Sequence, residues 1–161
     1  MVKVRTIISR SPAQTQKIAR ELSRKILHLK NRKRARLDLR ESRRALIIAL
    51  KGELGSGKTT FVQGLARGLG VAQNIKSSTF IIMRNYFLLR KNIPYKKLIH
   101  IDAYRIKKPQ EILKLEWRNM LESPENIIVT EWPEYLGRFI SRADIIVRFE
   151  HVDTTTRKIT L

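Results

Sequence analysis

One stretch of the chain carries an unmistakable chemical pattern: Gly52-Glu53-Leu54-Gly55-Ser56-Gly57-Lys58-Thr59, which reads G-x-x-x-x-G-K-[ST]. Glycines let successive backbone N–H groups turn inward together, and a helix starting there adds the positive end of its dipole. Such a cradle suits a polyphosphate. Lys58 would reach the β- and γ-phosphates, and the Thr59 hydroxyl would complete a Mg²⁺ shell. Mg²⁺ keeps most of its waters and usually takes a further carboxylate from the end of a neighbouring strand. Two segments run from apolar residues to an acid: Leu98-Ile99-His100-Ile101-Asp102 and Ile127-Ile128-Val129-Thr130-Glu131. Both acids would lie at carboxyl ends of strands, where open α/β sheets put their ligands. Either alone also reads as a helix cap or a surface ion pair; beside a phosphate loop they read as groups that orient metal and attacking water. No Asn-Lys-x-Asp segment occurs, so the usual guanine-reading element is missing and ATP is favoured over GTP. His28 and His151 lack metal-ligand spacing and His100 sits inside a strand; all three read as structural or incidental.

The elements that must position these groups follow from hydrophobic period. Ala45–Leu50 is a continuous apolar run, as expected of a strand buried on both faces. After the glycine-rich turn, Phe61, Leu65 and Leu69 share one side of a helix expected from about Lys58 to Leu69. Further strands are expected at Val2–Ile8, Phe80–Leu89, Leu98–Asp102, Ile127–Glu131, Ile145–Phe149 and Lys158–Leu161, with a turn at Lys91–Tyr95. Pro109 opens a short helix carrying Ile112, Leu115 and Trp117. Near the N-terminus, Ser11, Pro12 and Gln14 supply a cap, a first-turn proline and the glutamine of a capping box. Ile18, Leu22, Ile26 and Leu29 then continue at helical spacing. Extended to Arg43 this helix would measure ~48 Å, too long for a domain of this size, so a break is expected near Asn31. Strands alternating with helices predict an α/β, single-domain P-loop NTPase-like sandwich over residues 1–161, with a mainly parallel central sheet flanked by helices.

Composition bounds the partners. The chain has 161 residues, with 34 Lys and Arg against 14 Asp and Glu, for a net charge of +20. That length suits one domain burying roughly 70% of the surface its unfolded chain exposes. A hydrophobic fraction of 42% argues against a disordered tail. No apolar run approaches the ~18 residues of a membrane span, and the absence of cysteine fits a cytoplasmic protein. The charge favours nucleic acid, nucleotides or acidic proteins as partners, unless it reflects a basic proteome at large. Residues 1–50 hold a net +12 of it, densest over residues 30–44, a basic loop or linker insertion. No aromatic residue interrupts that stretch, so phosphate contact is what it can offer.

Taken in order, Gly52 to Thr60, Ser77-Ser78-Thr79-Phe80, His100-Ile101-Asp102-Ala103-Tyr104-Arg105 and Glu131-Trp132-Pro133 resemble the TsaE (YjeE) family, the bacterial ATPases of tRNA threonylcarbamoyladenosine biosynthesis. The likeness runs from about residue 45 to 149, with the first helix and its Thr15 compatible. A phosphate loop alone is common; the downstream His-x-Asp-x-Tyr-Arg and Glu-Trp-Pro are far more specific. The resemblance implies a slow, partner-stimulated, Mg²⁺-dependent ATPase. It would work with TsaD and TsaB, which place a threonylcarbamoyl group on the adenosine beside the anticodon, and its ATP hydrolysis would reset their complex between turnovers. It further implies that Gly55, Ser56, Gly57, Lys58, Thr59 and Thr60 bind ATP, and that Thr59 and Glu131 hold Mg²⁺. Asp102 would support metal or water, Thr79 would belong to a switch-like segment near the γ-phosphate, Trp132 would flank the nucleotide, and Thr15 would lie near its adenosine part. Where the family has Ser-Pro-Thr this chain has Ser77-Ser78-Thr79, which removes the rigid turn that proline gives. The 30–44 stretch is also longer than the family's usual link. Two other classes fit the loop: a small-molecule or nucleoside kinase, for which no arginine-bearing lid is evident, and a non-catalytic basic RNA-binding module.

Overall fold

The computed structural model describes residues 5–34, 44–75, 82–140 and 143–161, with residues 29–34 as backbone only. In chain order these form strand β1 (Thr6–Ser9), helix α1 (Pro12–Arg34), β2 (Leu46–Lys51), α2 (Lys58–Leu69), β3 (Met83–Phe87) and β4 (Lys97–Asp102). A 3-10 turn (Ala103–Arg105) and a longer 3-10 segment (Pro109–Leu115) lead to α3 (Trp117–Glu122) and β5 (Asn126–Glu131). Another 3-10 segment (Pro133–Ile140), β6 (Ile145–His151) and β7 (Arg157–Thr160) complete the chain.

All seven strands join one sheet in the order β1-β7-β6-β2-β5-β4-β3. Its centre is parallel, as the apolar runs required: β2 pairs with β5 and β6, and β5 pairs with β4. The edges are antiparallel, where β3 closes one side on β4 and the β6–β7–β1 meander closes the other. The strands bury both faces by alternation. Ile48, Leu50, Leu98, Ile127 and Val129 pack under α1 and α2, whereas Ile47, Ile99, Ile101 and Ile128 pack against Ile112, Trp117 and Leu136. Phe61, Leu65 and Leu69 of α2 are fully buried, the stripe its spacing predicted. The two helices lie close because Gly64 and Gly68 of α2 face Gln16 and Ser23 of α1.

Helix α1 starts as its capping residues require, since Ser11 Oγ accepts from Gln14 N at 3.2 Å. The reciprocal bond lands one residue early: Gln14 Oε1 accepts from Arg10 N at 2.8 Å. The break expected near Asn31 does not occur there. The helix runs on to Arg34, so the first residues of the basic 30–44 stretch are helical and not loop. Lys and Arg are good helix formers, and neither glycine nor proline interrupts them. Residues 35–43 lie outside the described residues. The single short helix expected after Pro109 is instead two pieces, a 3-10 segment and α3, separated at Glu116 with φ 55°. Among the described residues, no helix is long and apolar enough to cross a membrane.

Candidate active site

Between β2 and α2 the chain adopts the conformation its glycines permit. Gly55 and Gly57 have φ of 73° and 95°, the left-handed region that costs glycine little. Gly57 immediately precedes α2, and Phe61 N donates back to its carbonyl at 2.9 Å, so the loop runs directly into the helix N-terminus. The other end of the loop is seated by packing: a Cβ on Gly52 would lie 2.7 Å from the Phe149 carbonyl oxygen of β6. From outside, Arg157 Nη2 donates to Gly55 O at 3.3 Å, and His151 Nε2 lies 3.3 Å from Leu54 O.

Lys58 is 4% exposed. Its Nζ donates to Gly52 O and Glu53 O, both at 2.7 Å, and lies 3.9 Å from the centroid of the Trp132 ring. Burial pushes the ammonium below its usual range, while the charges of Glu131, Glu134 and Asp102 push it back up. Trp132 itself has φ 58°, a conformation that costs a non-glycine residue on the order of 1 kcal/mol. It aims the indole across the loop, where the Tyr104 ring lies tilted against it at 5.0 Å and Tyr135 meets it edge-on at 6.2 Å.

The two strand-end acids come together because β4 and β5 are parallel in a register that sets Asp102 beside Glu131. Thr59 Oγ1, on the first turn of α2, lies 3.0 and 3.1 Å from the two Glu131 carboxylate oxygens. His100 Nε2 lies 2.9 Å from Oε1 of the same carboxylate. Asp102 Oδ1 accepts from Tyr104 N at 3.2 Å and so caps the following turn. Burial, then the Glu131 charge, push the Asp102 carboxyl above its usual range; Tyr104 N–H, His100 and Lys58 act the other way.

These groups line a cleft of about 340 Å³ that gathers Gly55, Ser56, Gly57, Lys58, Thr59, Thr60, Asp102, Glu131 and Trp132 from the expected set. Thr15 is buried behind the loop: its hydroxyl lies 2.8 Å from Ser9 Oγ, and its methyl 4.0 Å from where a Gly57 Cβ would stand. Thr79 lies outside the described residues. Of the two readings given to His100, structural or incidental, its contact with Glu131 fits the structural one. The signal was available, because residues two apart on a strand share a face, and His100 shares Asp102's. Tyr104 and Arg105 also line the cleft, and Arg157 and His151 touch the loop from outside. The last two contacts had no sequence signal.

A glycine-rich turn between a buried parallel strand and a helix, with acids at the tips of adjacent strands, defines an α/β protein of the phosphate-loop class. The chain belongs to the TsaE family: the family model described as "Threonylcarbamoyl adenosine biosynthesis protein TsaE" matches residues 9–159, well beyond the 45–149 stretch that carries the sequence motifs. The TsaE protein of Haemophilus influenzae is 33% identical over 110 residues, 68% of this chain and 66% of that protein. That of a Nostoc species is 42% identical over 91 residues, 55% of this chain and 52% of that protein. The chain thus spans between half and two thirds of the length of these curated relatives. The fold resembles the crystal structure of YdiB from Bacillus subtilis with a TM-score of 0.62 at 22% identity, covering 99% of this chain and 85% of that one.

Proposed function

We propose that this protein binds ATP with Mg²⁺ in the cleft and hydrolyses it in support of tRNA threonylcarbamoyladenosine synthesis, resetting a TsaD–TsaB complex between turnovers in the cytoplasm. The observation that carries this reading is the meeting of the Thr59 hydroxyl with the Glu131 carboxylate, at 3.0 and 3.1 Å, on a glycine-rich loop in a TsaE-family chain. Hydroxyl and carboxylate oxygens are the hard donors Mg²⁺ takes. When bound, the ion offsets negative charge on the phosphate oxygens.

The chain's own groups then divide the work. Backbone N–H groups from Gly55 to Thr60 bind phosphate, and Lys58 leaves its carbonyl partners to meet the β- and γ-phosphates. Thr59 and Glu131 hold the metal, while Asp102 orients metal or water. Trp132 flanks the nucleotide, Thr79 contributes near the γ-phosphate, and Thr15 supports the loop toward the adenosine side. The basic 30–44 stretch offers phosphate contacts to tRNA.

The deciding experiment reconstitutes threonylcarbamoylation with TsaD and TsaB, with and without this protein, over many turnovers. The expected result is that product beyond the first turnover requires this protein and hydrolysable ATP, with ADP and phosphate released. Lys58→Ala and Glu131→Ala should each abolish ATP turnover in a folded protein, because both act on phosphate or metal charge. Full multi-turnover synthesis without the protein, or wild-type hydrolysis in both variants, would overturn the reading. A phosphorylated acceptor in place of free phosphate would point to a kinase.

A further inference from the structure

His100 is a buried polar side chain, 1% exposed, that the proposed chemistry leaves unused. On β4 it shares a face with Leu98 and Asp102, beneath α2, and its Nε2 lies 2.9 Å from Glu131 Oε1. A carboxylate oxygen has only lone pairs to offer, so the proton in this contact belongs to Nε2. With the proton on Nδ1 alone, a ring lone pair would face a carboxylate oxygen. That N–H would also be buried at an atom with no partner among the described residues.

Glu131 otherwise depends on Thr59, whose single hydroxyl proton lies within reach of both carboxylate oxygens and can satisfy one at a time. Rotation about the terminal carboxylate torsion is soft. A second donor, fixed in the sheet, removes that freedom. We infer that His100 is the positioning residue for Glu131: it holds Oε1 and thereby leaves Oε2, beside the Thr59 oxygen, free to face a divalent cation. The inference rests on the proposed Mg²⁺ role of Thr59 and Glu131. Outer groups that orient a metal ligand are typically worth 10–100-fold in metal affinity.

The test measures binding of a non-hydrolysable ATP analogue by calorimetry, in Mg²⁺ and in excess EDTA, alongside melting temperature and turnover. His100→Leu keeps apolar bulk without a donor; His100→Gln carries an amide N–H at the reach of Nε2. In the leucine variant the gain in analogue affinity conferred by Mg²⁺ should fall about 10-fold or more, with affinity in EDTA unchanged. Glutamine should restore most of the loss. His100→Asn, whose amide stops short of Glu131, should lose the Mg²⁺ gain as leucine does, and decides the matter should the leucine variant not fold. A Mg²⁺ gain kept in the folded leucine or asparagine variant, or an equal loss in Mg²⁺ and EDTA, would overturn the inference. Glu131→Gln separates the two layers. If it abolishes the Mg²⁺ gain while the His100 variants keep it, only the role of His100 fails; if wild-type affinity ignores Mg²⁺, both fail.

Discussion

Asp102 is held in the cleft at a cost to the fold. Its carboxyl lies above the ordinary value of 3.8 because burial and the neighbouring Glu131 charge disfavour ionisation more than Tyr104 N–H, His100 and Lys58 favour it. The native state therefore binds more protons than the unfolded chain between 3.8 and the raised value, and stability falls as pH rises through that window. Above it the penalty is fully present; below 3.8 both states are protonated and it vanishes. Asp102→Asn keeps an oxygen to cap Tyr104 and removes the charge. Without nucleotide or Mg²⁺ it should melt a few degrees higher than wild type at pH 7, a gain that disappears below pH 3.8, while ATP turnover falls by about 10²-fold. Calorimetric melting across pH checks the first part, and an unchanged or lower melting temperature at pH 7 would contradict it. At this scale the phosphate loop was legible because its spacing is local. The Glu131–His100 contact joins residues 31 apart across two strands, so only the strand alternation hinted at it.

At the scale of elements, the phosphate loop is held by the turn between β6 and β7. Asp153 Oδ1 accepts from Thr155 N and Thr156 N at 2.8 and 2.7 Å; the Thr156 hydroxyl first, then these two N–H groups, hold its carboxyl down at about 2. The ordered turn presents carbonyls to Arg157, whose Nη1 donates to Asp153 O at 2.9 Å and Thr156 O at 3.0 Å while Nη2 reaches Gly55 O. Arg157→Ala should raise KM for ATP several-fold with little change in kcat, since it loosens the cradle and touches no reacting atom. Lysine should not restore it, because a point charge cannot serve the same fork of acceptors. Steady-state kinetics on both variants checks this. Midway along α2, a Cβ on Gly64 would fall on the backbone of Gln16 in α1, which cannot rotate away. Gly64→Ala should therefore cost about 3 kcal/mol in urea unfolding. Helix α2 was readable residue for residue from Phe61, Leu65 and Leu69. The sequence also displays Gly64 and Gly68 a turn apart, but their role depends on which helix crosses them, and the antiparallel edges depend on pairings that no local pattern specifies.

Across the whole molecule, the start of the densest basic stretch and the chemistry lie at opposite ends of α1. Thr15, near the start of the helix, packs behind Gly57 of the phosphate loop, and the helix continues to Arg34. At 1.5 Å per residue the backbone at Arg34 is ~28 Å from Thr15, more than three screening lengths of about 8 Å at physiological ionic strength. The basic 30–44 stretch was plain in the sequence, yet the distance of its first residues from the cleft follows only from a helix that passes Asn31 without breaking. Charges near that far end can act on a polyanionic partner without altering the field at Lys58. Replacing Arg32, Lys33, Arg34 and Arg36 together by glutamine should leave ATP turnover of the isolated protein unchanged, although Arg36 itself lies outside the described residues. For tRNA, the slope of log K against log salt should become shallower by up to about 3–4, close to one counterion per lost phosphate contact. Fluorescence anisotropy over a salt series measures that slope, and phosphate release measures the turnover. An unchanged slope would mean that this end of the helix does not meet RNA, and a drop in turnover would mean that charge and cleft communicate despite the distance.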